Sequence, residues 1–384
     1  MKRVNKLLLA ALLLLISLAT PLATPLTVHA ADCTPVNLYE ASDSPLHRIP
    51  IYDQGQMNTC YAYTGSQLVD YYRFKMDPKS RALTPPIWTA LIHKLHVPIA
   101  WNPDNLDFSR MTWVFTDLEK YGICKEKVVD RAITNLKNGN DQLTESDVMY
   151  FFQNLWDEFQ TEKGQKITRR ARERNYLRAY DKTASDPYFV GKIQYSMAEK
   201  FHWIAWGKEG DRLKFLMKEV FSECTGDNLE KIALPNRKSI GTGFASNAKI
   251  IRGIDQILDS SEPAGIGYCY NVLTEPPGYK GIHVRPRILG MALNNNNCGA
   301  HYSIVVGKRP TAKNGCEFLV RNSYGTGFWT DQWSCYCQTT NKAVPEFSEC
   351  HASEARTKGL RVLGCWIDSE DLANNTFDLT HFVQ

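Results

Sequence analysis

Beyond its first 30 residues the sequence has no apolar run long enough to cross a bilayer, no internal repeat, no low-complexity tract and no cluster of His and Cys at metal-ligand spacing. The first absence excludes a later membrane segment, since a helical span takes about 20 apolar residues. The next two exclude solenoid and disordered architectures. Cys335-x-Cys337 and Cys350 lack the second pair or histidine cluster of a zinc site, so no metal and no other cofactor is expected. Excess charge is scarce as well. Lys2, Arg3 and Lys6 lie in the leader, and removing these three of the 45 Lys and Arg leaves a net of +1 against 41 Asp and Glu. No basic groove emerges, and a nucleic-acid partner is not expected.

What is present begins with that leader. Its three basic residues precede an apolar stretch from Leu7 to Leu18, and Val28-His29-Ala30 closes it as a small-x-small cleavage site, so residues 1–30 are expected to be a secretory signal peptide. The remaining chain is expected to be secreted or periplasmic, with no membrane contact after cleavage. All 11 cysteines follow the leader. In an exported chain an odd count leaves one thiol out of intramolecular pairing, and ten others suffice for up to five disulfides.

Periodicity divides the chain into four parts: the leader 1–30, a helical region 31–139, a helical insertion or subdomain 140–247, and a β-rich region 248–384. Residues 31–53, with Pro35, Pro45 and Pro50, are expected to be an extended lead-in. Tyr61, Gly65, Leu68, Val69 and Tyr72 then share one helical face, predicting a helix from Cys60 to about Lys75. Further helices are expected from Leu83 to Leu95 and from Met111 to Tyr121, the latter stopped by Gly122. Val148, Phe151, Phe152, Leu155 and Phe159 predict one insertion helix and Leu213, Leu216, Met217 and Val220 another. The basic run 163–178 between them is expected to be a solvated face, and Trp203 and Trp206 to be packing residues. Strands are expected over 264–272, 288–293, 301–306 and 318–322, with Lys313-Asn314-Gly315 as a turn.

The chemistry concentrates in three places. Cys60 stands in the first turn of its helix, where the aligned N–H groups favour a thiolate, and Gln54 precedes it by six residues. A base is needed to activate it. If 301–306 and 318–322 form a hairpin in symmetric register, Val306 faces Glu317 and His301 faces Asn322, with Cβ atoms about 5 Å apart. The Asn322 carboxamide would then fix the imidazole's tautomer and leave its other nitrogen for a thiol. His29, His47, His93, His96, His202, His283, His351 and His381 have no such context and are expected to be surface or core residues.

Gln54-x5-Cys60 on a helix, Cys298-Gly299-Ala300-His301 entering a strand and Arg321-Asn322-Ser323-Tyr324-Gly325 ending the next resemble the signature blocks of papain-like cysteine proteases. Gly364-Cys365-Trp366-Ile367 and Asn375-Thr376-Phe377 resemble that family's closing strand. The resemblance implies an α+β, two-lobed fold, in which a helical lobe carries Cys60 and an antiparallel β-barrel-like lobe carries His301 and Asn322. It implies that Cys60 attacks a peptide carbonyl, His301 protonates the leaving amine, and Gln54 with the Cys60 N–H stabilises the oxyanion. Met57 stands where the family usually has a cysteine, Tyr61 and Tyr324 replace common tryptophans, and Asp107-Phe108-Ser109-Arg110 replaces a Gly-Gly pair. Cys60 and His301 are 241 residues apart, against about 130–150 in the family, and the surplus matches the insertion. The expected function is an exported cysteine peptidase acting on a peptide or protein substrate. A non-peptidase acyl-transfer enzyme (amidase, transpeptidase or cell-wall peptide hydrolase) and a non-catalytic binding protein are the alternatives. Nothing in the sequence fixes an oligomeric state.

Overall fold

The helix that begins at Cys60 is deeply buried in the computed structural model, and its neighbours explain why. Residues 33–55, 57–96, 109–137, 143–160, 169–190, 219–240, 245–275, 298–312, 315–325, 329–340 and 346–383 are described. The leader, Asp107 and Phe108, Trp203 and Trp206, residues 213–217, the strand expected over 288–293, and Lys313 and Asn314 of the expected turn lie outside them.

In chain order the helices are α1 (Cys60–Met76), α2 (Pro86–His96), α3 (Met111–Tyr121), α4 (Glu126–Thr134), α5 (Glu145–Gln160), α6 (Arg169–Ala184), α7 (Asn247–Asp259), α8 (Asn271–Thr274), α9 (Ala352–Lys358) and α10 (Ser369–Asn375). The strands are β1 (Val36–Asn37), β2 (Ile123–Cys124), β3 (Leu229–Glu230), β4 (Asn236–Ser239), β5 (Ala264–Cys269), β6 (Ala300–Pro310), β7 (Cys316–Arg321), β8 (Cys335–Gln338), β9 (Phe347–Cys350), β10 (Arg361–Asp368) and β11 (Thr376–Val383). The fold is mixed α+β: helices pack against a large antiparallel sheet of order β4-β11-β5-β6-β7-β10-β8-β9, with β1 also on β6. Among the described residues this sheet is open, so the barrel-like closure expected from the resemblance is not found.

Periodicity predicted one buried face for α1, yet every residue from Cys60 to Tyr71 is buried. The helix lies between α2 and α3 on one side and β5 and β6 on the other. Its polar side chains are therefore matched internally, as where Ser66 and Thr89 of α2 share a hydrogen bond at 2.9 Å. Gly122 stops α3 as expected, with φ +89°. The strand predicted over 264–272 is cut short at Cys269 because α8 follows. The one predicted over 301–306 extends to Pro310, where β1 pairs with Gly307 and Lys308.

The region between 140 and 247 is not helical throughout. It includes α5 and α6, on whose surface Arg174 and Arg178 are exposed, but its last part returns as strands: β3 pairs with β2, and β4 joins the edge strand β11. Cys124–Cys224 ties this region back to β2 across a sequence separation of 100. In the chain-entropy view a cross-link of that span stabilises by about 4–5 kcal/mol. The other disulfides are Cys33–Cys316, Cys269–Cys298, Cys335–Cys365 and Cys337–Cys350. Cys60 is the cysteine outside them, as the odd count required.

Three carboxylates from three helices meet at the start of α2, where unsatisfied N–H groups and the helix dipole attract negative charge. Asp70 of α1 accepts from the Thr84 N–H at 2.9 Å and from its hydroxyl at 2.6 Å. Glu126 of α4 accepts from the Leu83 N–H at 3.1 Å, and Glu145 of α5 from the Ile87 N–H at 2.8 Å. Burial outweighs these bonds and pushes Asp70 up to about 7 and Glu145 up to about 8. Between the ordinary carboxylate range and these values the folded chain holds protons that the unfolded chain has lost. Their contribution is therefore complete in acid and disappears as pH rises to about 8. Denaturation midpoints are expected to fall between pH 5 and pH 8.5, and Glu145→Gln to remove on the order of 2 kcal/mol of that pH dependence, measured by urea titration at each pH.

Candidate active site

The hairpin of β6 and β7 does not adopt the symmetric register. Pro310 faces Cys316 and Lys308 faces Phe318, but between Val305 and Gly307 the pairing shifts by one residue, so that Val305 faces Val320 and Ile304 faces Arg321. This bulge decides which way His301 points. Side chains alternate along a strand, and a one-residue slip exchanges the two faces. Continued past Ile304, the register on the site side of the bulge sets Ser303 opposite Asn322, leaving His301 diagonal to Asn322 on the same face. Without the shift the two would be on opposite faces.

The diagonal contact is a hydrogen bond of 2.7 Å between His301 Nε2 and Asn322 Oδ1. The same oxygen accepts the Ser323 backbone N–H at 2.7 Å, which fixes the carboxamide's orientation. Since Oδ1 only accepts, Nε2 carries the proton, and in the neutral ring Nδ1 is the basic nitrogen. Nδ1 is buried and makes no hydrogen bond to a described residue. The Tyr324 ring stacks on the imidazole with centroids 4.7 Å apart and 16° between planes, and Tyr268 meets it edge-on at 5.6 Å. Tyr268 is held by a 2.9 Å hydrogen bond to Ser303.

Gln54 reaches the site through its own backbone. Its N–H donates to the Ser323 carbonyl at 2.7 Å, Gly325 N–H donates to the Tyr52 carbonyl, and Asp53 bridges Tyr324. The carboxamide is clamped at both ends: Oε1 accepts from the Ser323 hydroxyl at 2.6 Å and Nε2 donates to the Met57 carbonyl at 2.5 Å. Gly55 turns the chain there with φ +57°, a conformation glycine adopts without strain.

Cys60 is the first residue of α1 and is 1% exposed. An ionised Cys60 thiol raises the phenol pKa of Tyr268, Tyr324 and Tyr302, in each case adding to the larger effect of burial. Two of those rings are the ones that hold His301. Burial, countered by the Asn322 bond, holds the His301 imidazole down to about 4. Gln54, His301 and Asn322 are thus joined through Ser323, and the Cys60 charge acts on the tyrosines around them. Ser323 and Tyr268 had no sequence signal: one is a small residue within a motif, the other a β-strand aromatic among many.

No protein-family model matches this chain, and no curated protein matches it by sequence. Among solved structures it is similar to the Amb a 11 cysteine protease, a major ragweed pollen allergen, in its proform at 2.05 Å. The TM-score is 0.38 and the identity 11%, over 92% of this chain and 67% of that one. A likeness of that extent carries no functional argument, which rests on the geometry above.

Because the Asn322 bond raises the His301 pKa, Asn322→Ala is expected to move it further down. Imidazole nitrogen shifts followed by NMR across pH 3–8 check this, and an unchanged or higher midpoint would contradict the assigned hydrogen bond.

Proposed function

We propose that this chain is an extracytoplasmic papain-like cysteine peptidase, with Cys60 as nucleophile, His301 as general acid and base, Asn322 as its orienter and Gln54 as an oxyanion donor. The observation that carries the reading is the His301 Nε2–Asn322 Oδ1 bond, which leaves Nδ1 as the basic nitrogen among the tyrosines that feel the Cys60 charge. The five disulfides fit an oxidising compartment.

In the resting site the His301 imidazole is neutral near pH 7. Transfer of the Cys60 proton to His301 Nδ1 yields a thiolate and an imidazolium that stabilise each other, so the two titrate as a pair and not singly. The thiolate attacks the peptide carbonyl. The N–H of Gln54 not held by Met57, together with the Cys60 backbone N–H, receives the developing oxyanion, a contribution of about 3–4 kcal/mol per donor. His301 gives its proton to the leaving amine, and water, deprotonated by the same nitrogen, cleaves the thioester.

Labelling with a peptide epoxide or vinyl sulfone under mild reduction tests this reading. One adduct on Cys60 is expected, with Cys60→Ala abolishing it and His301→Ala slowing it by at least about 100-fold. Labelling that does not depend on His301 would overturn the enzyme assignment. The rate should rise with pH as the pair forms and fall in base as His301 loses its proton.

The insertion is the element that distinguishes this chain's cleft. The start of α5 lies against the Gln54 loop, since a side chain at Gly55 would touch Ser146 at 3.7 Å. Further along, Tyr188 donates to Asp147 at 2.5 Å. Packed there, the insertion narrows access for bulky substrates. Ser146→Trp is expected to lower kcat/KM for a protein substrate several-fold more than for a tripeptide amide, and equal losses on both would refute the narrowing.

A further inference from the structure

His93 belongs to the histidines that the sequence leaves without a partner, yet the fold places it in the middle of a three-residue array. It lies on α2, fully buried. Its Nδ1 is 2.7 Å from Asp117 Oδ2 on α3, and its Nε2 is hydrogen-bonded to Ser109 Oγ. Asp117, as a carboxylate, accepts only, so Nδ1 carries the N–H. In the neutral ring Nε2 is then the acceptor, and Ser109 donates its hydroxyl proton to it. The ring is also fixed edge-on against Tyr61, with centroids 5.7 Å apart.

We infer that Ser109 is a second activated nucleophile of this chain, with His93 as its base and Asp117 as the orienter of that base. The order nucleophile, imidazole, carboxylate through consecutive hydrogen bonds is what a serine needs to attack an acyl or phosphoryl centre. Burial holds the imidazole below its ordinary range, against the pull of Asp117, so His93 is neutral near pH 7 and able to take a proton. Ser109 directly precedes Arg110, the N-cap of an 11-residue helix. The N-terminal end of such a helix favours developing negative charge. The Cys60 chemistry uses none of these three residues.

In the reaction Ser109 Oγ bonds to the acyl carbon or phosphorus while its proton passes to His93 Nε2. The bond to the leaving group breaks, and the alkoxide departs with that proton. Ser109 is only 6% exposed, so the substrates are small esters and other compact acyl donors, and not folded proteins.

The test uses a small fluorophosphonate on the full chain carrying Cys60→Ala, which keeps the other thiol chemistry out of the readout. Ser109 Oγ displaces fluoride, and intact mass with peptide mapping locates the adduct. One adduct on Ser109 is expected, absent in Ser109→Ala. Asp117→Asn presents an N–H to Nδ1 and is expected to slow labelling by at least about 100-fold. If a chain with an unchanged circular dichroism spectrum shows no Ser109 adduct, or a rate indifferent to Asp117→Asn, the inference fails and the array is a tether between α2 and α3. Such a failure leaves the Cys60 reading intact, because peptide epoxides and fluorophosphonates report on different nucleophiles.

Discussion

A buried guanidinium ties the large sheet to α1 and to the lead-in. Arg321 closes β7, is 1% exposed, and has no carboxylate partner among the described residues. Its Nε donates to Gln67 of α1 at 2.6 Å, one terminal nitrogen to the Tyr39 hydroxyl at 2.5 Å, and the other to the carbonyls of Ile49 and Pro50 at 2.7 and 2.6 Å. Each of these acceptors belongs to a segment that must meet the hairpin: α1 and the lead-in that runs to Gln54. A buried charge is tolerable only when its donors are satisfied. Satisfying this one requires the lead-in, α1 and β7 to assemble together, and the next residue, Asn322, is set by the same event.

Much of the site was legible in the sequence because its residues sit in local patterns. Cys60 opens a periodic stretch, and the odd cysteine count set it apart from the five disulfides. His301 and Asn322 lie on two strands close in the chain. The register was the part that failed. Symmetric pairing leaves out the bulge after Val305, which no local pattern records. The pairing of His301 with Asn322 survived because the net displacement near the site is even and preserves the face.

Other features depended on distant partners and could not be read from a linear pattern. The all-round burial of α1 follows from the sheet beneath it, not from its periodicity. The carboxylates at the start of α2 come from helices before and after it. His93 has no neighbouring amide to mark it, although Asp117 and Ser109 lie only 24 and 16 residues further on. The sheet's openness is a tertiary outcome that a likeness of motifs does not determine.

The clamp on Gln54 has a mechanical consequence. Asn322 holds the imidazole, and Ser323, one peptide bond later, holds Gln54 twice: its carbonyl accepts the Gln54 backbone N–H and its hydroxyl donates to the Gln54 carboxamide. A single peptide unit therefore links the alignment of the His301 ring to that of the Gln54 carboxamide. Thermal displacement of that unit moves both in concert, so errors in their relative position stay small even when the strand end shifts as a whole. A second fixing point, the Met57 carbonyl just before α1, holds the other end of the Gln54 carboxamide, so the tolerance between the two groups is set by a short chain of hydrogen bonds and not by two independent loops.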